Sequence, residues 1–230
     1  MKPIHKNIEP DEFVKWKSAN QETIDRLNTE GKKGDVLWDL LQSSLGNEIV
    51  PNDYSKNQLR DSLVKEQFYL CCYCNATIKG ESLDTKIEHY LPKETYREDI
   101  FNYQNLLASC NGGEREPARP RDLHCDSYKG SKDPSSLLIV NPLVFKVLSH
   151  FSYTESGEIS GNTEEEKNTI LFLNLHCKKL NLLRKAAIEP YIYGDENIDT
   201  ETLIKEVSEP LNGQLQAFCM AILNVLENYR

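Results

Sequence analysis

Cys71-Cys72-Tyr73-Cys74 opens, and His124-Cys125-Asp126-Ser127-Tyr128-Lys129-Gly130 closes, the stretch on which the fold turns. Between them lie Ile87-Glu88-His89-Tyr90-Leu91-Pro92-Lys93 and Asn105-Leu106-Leu107-Ala108-Ser109-Cys110. Cys71 and Cys74 have the C-x-x-C spacing at which two thiolates on one tight turn grip a tetrahedral zinc ion. Cys72 is next door, cannot easily join both in one site, and is set aside as spare. The second pair is expected downstream. Cys110, followed by the Asn111-Gly112-Gly113 turn, resembles a zinc knuckle, and Cys125 completes the set, with the adjacent His124 open as a substitute. Cys177 and Cys219 sit in apolar helical contexts and read as small core residues. Seven cysteines, an odd number, argue against a disulfide framework and for metal binding or burial.

Outward from this stretch the texture changes. Cys, Gly, Pro, Asn and His crowd residues 70–135, where long apolar periodicity disappears. Short strand-like pieces, Thr85–His89 and Leu106–Ser109, sit there between irregular loops. On the N-terminal side a helix is predicted over 11–27 with Phe13 and Trp16 on one face, and another from Val36 to Leu45, stopped by Gly46. Ser55 and Gln58 form a capping box heading a third, to about Phe68. On the C-terminal side, Phe151-Ser152-Tyr153 and Glu158-Ile159-Ser160 flank a Ser156-Gly157 turn, a hairpin pattern. Thr163 and Glu166 make a second capping box, for a helix to about Leu175. A helix over 178–188 should stop before Pro190, and Asn212 should cap a final one with Leu215, Phe218, Ile222, Val225 and Leu226 on one face. Asp195 to Glu209 is acidic, whereas Lys178, Lys179, Arg184 and Lys185 read as a basic cluster.

The expected fold is therefore α+β and mostly helical, in three parts: a helical segment 1–66, a metal-stapled core 67–135, and a hairpin with helices, 136–230. With 39% hydrophobic and 27% charged residues, no apolar run near membrane length and no apolar stretch after Met1, a soluble cytosolic protein without a signal peptide is expected. The net charge of −9 counts against a stand-alone nucleic-acid binder. Either the basic surface is local or a partner supplies it.

Glu88 beside His89, then Asn105, then Asp126 is the residue set that phosphodiester hydrolysis needs. A hard divalent cation takes oxygen ligands, and a histidine of near-neutral pKa takes a proton from water. Each has a plainer alternative. Glu88 and His89 alone would be an exposed strand pair, Asn105 a turn cap, and Asp126 a helix N-cap. His5, His150 and His176 lack companions and read as structural or surface residues.

The combined motifs resemble the HNH (ββα-metal) nuclease superfamily in its four-cysteine zinc form. They are most similar to the HNH subunit of Septu-type and retron-associated anti-phage systems, the PtuB-like family. The resemblance implies a ββα-metal core with structural zinc on Cys71, Cys74, Cys110 and Cys125. It implies a catalytic Mg²⁺ or Mn²⁺ on Glu88 and Asp126, His89 as general base, and Asn105 as the residue that constrains the active-site loop. Lys129, Arg119 and Arg121 become candidates for substrate contact. The activity implied is cleavage of DNA or RNA, tRNA included, without a choice between them. The partners implied are a PtuA-like ATPase and, where a retron belongs to the system, its reverse transcriptase with the RNA–DNA hybrid. Two features depart from the family pattern. Fourteen residues, Arg115 among them, separate Cys110 from Cys125 where many relatives have a compact C-x-x-C, and Asp126 stands in place of Asn or His. A non-catalytic zinc module that binds nucleic acid or bridges partners stays open beside the nuclease.

Overall fold

The computed structural model describes residues 1–41, 54–114, 119–135, 137–144, 151–194 and 199–230. Gly46, Arg115, His150, the end of the helix predicted from Val36 and the first residues of the acidic stretch lie outside these.

The N-terminal helices form where the apolar spacing places them. Helix α1 (Asp11–Thr29) buries Phe13, Trp16, Ile24 and Leu27 along one stripe. Helix α2 (Gly34–Trp38) is one turn long and tightens into a 3-10 turn at Asp39–Leu41, burying Leu37, Trp38, Leu40 and Leu41. Helix α3 (Lys56–Glu66) starts at the capping box, with Ser55 N–H donating to Gln58 Oε1 at 2.9 Å and Gln58 N–H to Ser55 Oγ at 3.4 Å.

The central segment holds two strands, β1 (Thr85–His89) and β2 (Leu106–Cys110), paired antiparallel with Glu88 opposite Leu107 and Thr85 opposite Cys110. Five-residue α4 (Cys125–Lys129) packs on β2. Strand β2 is buried throughout. It lies between β1 and the helices α3 and α4, so it reads as a continuous run and not as alternation.

A hairpin follows, β3 (Phe151–Tyr153) with β4 (Ile159–Gly161), then α5 (Glu164–Phe172), opened by the Thr163–Glu166 capping box. Helix α6 spans Lys178–Ile192 and contains Pro190, so the proline does not stop it as expected. Pro190 stands in the last turn, where the missing N–H costs one bond and the chain leaves the helix within three residues. Helix α7 (Thr200–Ser208) runs through the acidic stretch, capped by Asp199, whose side chain accepts from Thr202 N–H at 2.9 Å. The last helix, α8 (Cys219–Leu226), begins later than expected. Asn212 is not its cap. It takes a left-handed φ of 52° in a turn closed by Leu211 and Gln214, and Phe218 holds the N-cap position.

The buried residues of all three parts form one contiguous core, from Met1 and Phe13 through Leu63, Tyr73 and Leu107 to Leu180 and Ile222. Polar cross-links reinforce it. Lys6 pairs with buried Glu66 at 2.6 Å and donates to the Leu106 carbonyl at 3.0 Å. Arg184 is 1% exposed and donates to the Gly157 and Leu175 carbonyls. It therefore leaves the expected basic cluster, because its guanidinium ties α6 to the β3–β4 turn. Among the described residues, no helix is long and apolar enough to cross a membrane.

Candidate metal centre and catalytic cleft

Three local devices bring four thiols together. The knuckle Cys71–Cys74 is closed by Asn75 N–H donating to the Cys71 carbonyl at 3.1 Å. Cys110 ends β2. Cys125 opens α4 with a φ of 55°, in the left-handed region. Gly112 lets the last two meet: its φ is 59°, and an added Cβ would overlap the His124 carbonyl. His124 N–H in turn donates to the Gly112 carbonyl at 3.1 Å. The chain between Cys110 and Cys125 therefore leaves and returns at one point, and the long insertion does not spread the ligand set.

The sulfurs of Cys71, Cys74, Cys110 and Cys125 all lie within 4.8 Å of one another and are buried. Cys71 to Cys125 is 3.9 Å and Cys74 to Cys110 is 3.8 Å. A tetrahedron with zinc–sulfur bonds of about 2.3 Å has edges of about 3.8 Å, so the thiols fit zinc in both kind and spacing. Burial opposes ionisation of Cys71, yet hydrogen bonds from Cys110, Cys125, Cys72 and Cys74 outweigh it and hold its thiol well below the usual range. His124 is not in the cluster. Its Nδ1 is engaged with the Asp122 carbonyl at 3.1 Å, and Cys125 is the fourth member of the group. Cys72, Cys177 and Cys219 are buried outside it.

Beside this cluster a cleft of about 250 Å³ is lined by Glu88, His89, Lys93, Asp126 and Asp35, among others. Glu88 and Asp126 line the same cleft, close enough for the charge of one to act on the other. Burial first, and Asp126 next, push the Glu88 carboxyl well above the usual range, against the pull of Lys129. Two acids facing one cleft are most readily reconciled by a shared proton or a shared cation. Glu88 Oε1 accepts from Tyr73 OH at 2.7 Å and pairs with Lys129 Nζ at 2.7 Å. Asp126 Oδ2 is 3.4 Å from Lys86 Nζ.

His89 ends β1 and is 6% exposed. Its Nε2 lies 3.0 Å from the Ile100 carbonyl, and its ring meets the Trp38 indole edge-on, at 4.4 Å and 85°. A carbonyl only accepts, so Nε2 carries the proton and Nδ1 keeps its lone pair. Burial, then Lys93, lower the His89 pKa to about 3. Asn105 lies behind the cleft. Its Oδ1 accepts from Leu91 N–H at 2.7 Å, and its Nδ2 donates to the carbonyls of Leu91 and Asp99 at 3.1 Å each. It also accepts, through its own carbonyl, from Tyr90 N–H at 3.0 Å. The side chain fastens both ends of the loop that follows His89.

Glu88, His89 and Asp126 thus meet, with Asn105 supporting them. Lys129 is 2% exposed and turned inward, on Glu88 and the His89 carbonyl at 2.8 Å, not toward solvent. Arg119 and Arg121 are exposed and outside the cleft lining. Sequence reasoning passed over Tyr73, Lys86 and Trp38. Lys86 could have been found, because it is two residues before Glu88 on a strand and so shares its face. Tyr73 and Trp38 carried no local signal. His5 and His176 are exposed, as expected.

These features define a class: an α+β protein with a buried four-thiol cluster that could hold a metal ion, and an acid–histidine cleft alongside. No protein-family model matches the chain. Its sequence is similar to that of the Septu protein PtuB of Bacillus thuringiensis, at 27% identity over 194 residues, a span that takes in 83% of this chain and 64% of that protein. The relationship is PtuB-like, and the chain covers under two thirds of the relative's length.

Proposed function

We propose that this protein is a metal-dependent HNH endonuclease that hydrolyses phosphodiester bonds of DNA or RNA, tRNA included. In this reading it is the effector subunit of an anti-phage defence complex, joined to a PtuA-like ATPase and, where a retron is present, to the reverse transcriptase and its RNA–DNA hybrid. The observation that carries the reading is the meeting of Glu88, Asp126 and His89 in one cleft beside the four thiols. Zinc on Cys71, Cys74, Cys110 and Cys125 is structural, since four protein ligands leave no open position. Mg²⁺ or Mn²⁺ on Glu88 and Asp126 supplies the positive charge that the phosphate and its departing oxygen require.

The chain's own groups do the rest. His89 Nδ1 takes a proton from water, while the Ile100 carbonyl fixes the tautomer and Trp38 the ring plane. Burial keeps His89 neutral, and Lys93 and Lys129 oppose its protonation further. A phosphate placed beside these ammonium groups offsets their charge and strengthens the base when substrate is present. Lys129 offsets part of the Glu88 charge in a dry site. Asn105 holds the loop after His89 in place.

The test is to incubate the complex, and the chain alone, with plasmid DNA and with total tRNA, with and without Mg²⁺ or Mn²⁺. Cleavage that needs the cation and disappears in His89→Ala is expected. Cleavage indifferent to either change would refute the assignment. One observation favours a second reading, the non-catalytic zinc module: Lys129 and Lys86 already stand as counter-charges to Glu88 and Asp126. An intact complex that binds nucleic acid and cuts none of it would select that reading.

A further inference from the structure

Three residues around the cleft hang from zinc-ligand segments. Tyr73 directly precedes Cys74, Asp126 directly follows Cys125, and Lys129 lies one helical turn beyond Cys125 on α4. Tyr73 and Lys129 are each 2% exposed, and both of their contacts with Glu88, at 2.7 Å, fall on the same atom, Oε1. A carboxylate gripped twice on one oxygen cannot turn about its terminal bond, and the other oxygen is left to serve a ligand. We infer that Tyr73 and Lys129 are positioning residues that pin Glu88 Oε1, so that Oε2 together with Asp126 is offered to the divalent cation. The thiol cluster thereby sets the affinity of the cation site. This rests on the proposed role of Glu88 and Asp126 as cation ligands.

The mechanism is physical. Without the pins, a buried carboxylate is free to turn about its terminal bond, and a cation must then fix its orientation as it binds. Hydrogen-bond partners behind a ligating group set its affinity for the metal by about 10–100-fold. Tyr73→Phe removes one hydroxyl and keeps the ring that fills the core. Lys129→Gln removes the charge and keeps most of the stem.

The experiment measures Mn²⁺ binding by electron paramagnetic resonance, and zinc content by metal analysis, for the full chain, Tyr73→Phe and Lys129→Gln, beside a far-UV spectrum of each. The expected result is full zinc, an unchanged spectrum and Mn²⁺ binding about 10-fold or more weaker in Tyr73→Phe. In nuclease assays the cation concentration for half-maximal cleavage should rise by the same factor, with the rate at saturating Mn²⁺ nearly kept. Full zinc with unchanged Mn²⁺ affinity in both variants overturns the inference. Loss of zinc from Tyr73→Phe also overturns it, by showing that the hydroxyl supports the thiol cluster and not Glu88. An unsubstituted chain that binds Mn²⁺ but cuts nothing leaves the inference standing and removes the nuclease. One that takes up no Mn²⁺ removes the cation site itself.

Discussion

Asn105→Ala should weaken the whole protein, and its cost can be worked from three bonds. The amide is 4% exposed, and all of its side-chain partners are backbone groups: Leu91 N–H at 2.7 Å, and the Leu91 and Asp99 carbonyls at 3.1 Å. Each buried polar group left unpaired costs about 1–3 kcal/mol. Orphaned carbonyls are tolerated better than an orphaned N–H, and the loop can admit water at its outer end. The loss should be about 2–4 kcal/mol. A chain of this length moves its thermal midpoint about 2–4 °C per kcal/mol, so a fall of roughly 5–15 °C follows. Asn105→Asp separates the bonds further. It keeps the acceptor for Leu91 N–H and sets a carboxylate oxygen against two carbonyls. The introduced carboxyl then has a folded pKa above its unfolded value, so its stability is retained at low pH and lost as pH rises through the folded pKa. Urea and thermal melts between pH 4 and 8 test this. Asn105→Ala melting within about 1 °C of the unsubstituted protein, or Asn105→Asp losing no stability as pH rises, would refute the account of the loop clamp.

His89→Ala should lose roughly 10²–10⁴-fold of the cleavage rate while its far-UV spectrum and zinc content stay, since the thiol cluster does not touch it. Cys125→Ser should release zinc and, with it, cooperative folding, because structural zinc contributes about 10–16 kcal/mol in small sites, as much as a whole domain's net stability of about 5–15 kcal/mol. Full zinc occupancy after this substitution would show that His124 can take the position. The pH dependence of stability should carry the mark of His89, whose pKa falls from 6.5 to about 3 on folding. The unfolded chain binds that proton first, so stability is full above about pH 6.5 and declines toward pH 3, by up to roughly 5 kcal/mol. A His89→Ala protein with an equally steep acid decline would place the effect elsewhere.

Much of the site was legible because its signals are short. The C-x-x-C spacing, the Glu88–His89 pair on a strand and the Asn-Gly-Gly turn after Cys110 each act within a few residues, and all occur where the pattern puts them. The capping boxes at Ser55 and Thr163 are of the same kind. The misjudged elements share a different cause. Asn212 has the chemistry of a cap and lies in a turn instead, because Phe218 takes the N-cap position six residues later. Helix α7 was hidden in an acidic stretch, since its apolar side is short and Val207 is its one buried residue.

By itself the sequence determined which side chains could serve as zinc ligands, acids and base, and in what local geometry each would stand, because bond lengths and turn chemistry act over a few residues. Tertiary structure alone decided their roles toward one another. It turned Lys129 from a surface cation into the buried partner of Glu88, and Arg184 from a basic patch into a tie between α6 and a distant turn. It also set the Tyr73 hydroxyl against a carboxylate on β1 and placed Cys125, not His124, in the four-thiol cluster. Those outcomes depend on which groups lose water together when separate segments pack, and the price of burying a charge is known only once its neighbours are in place.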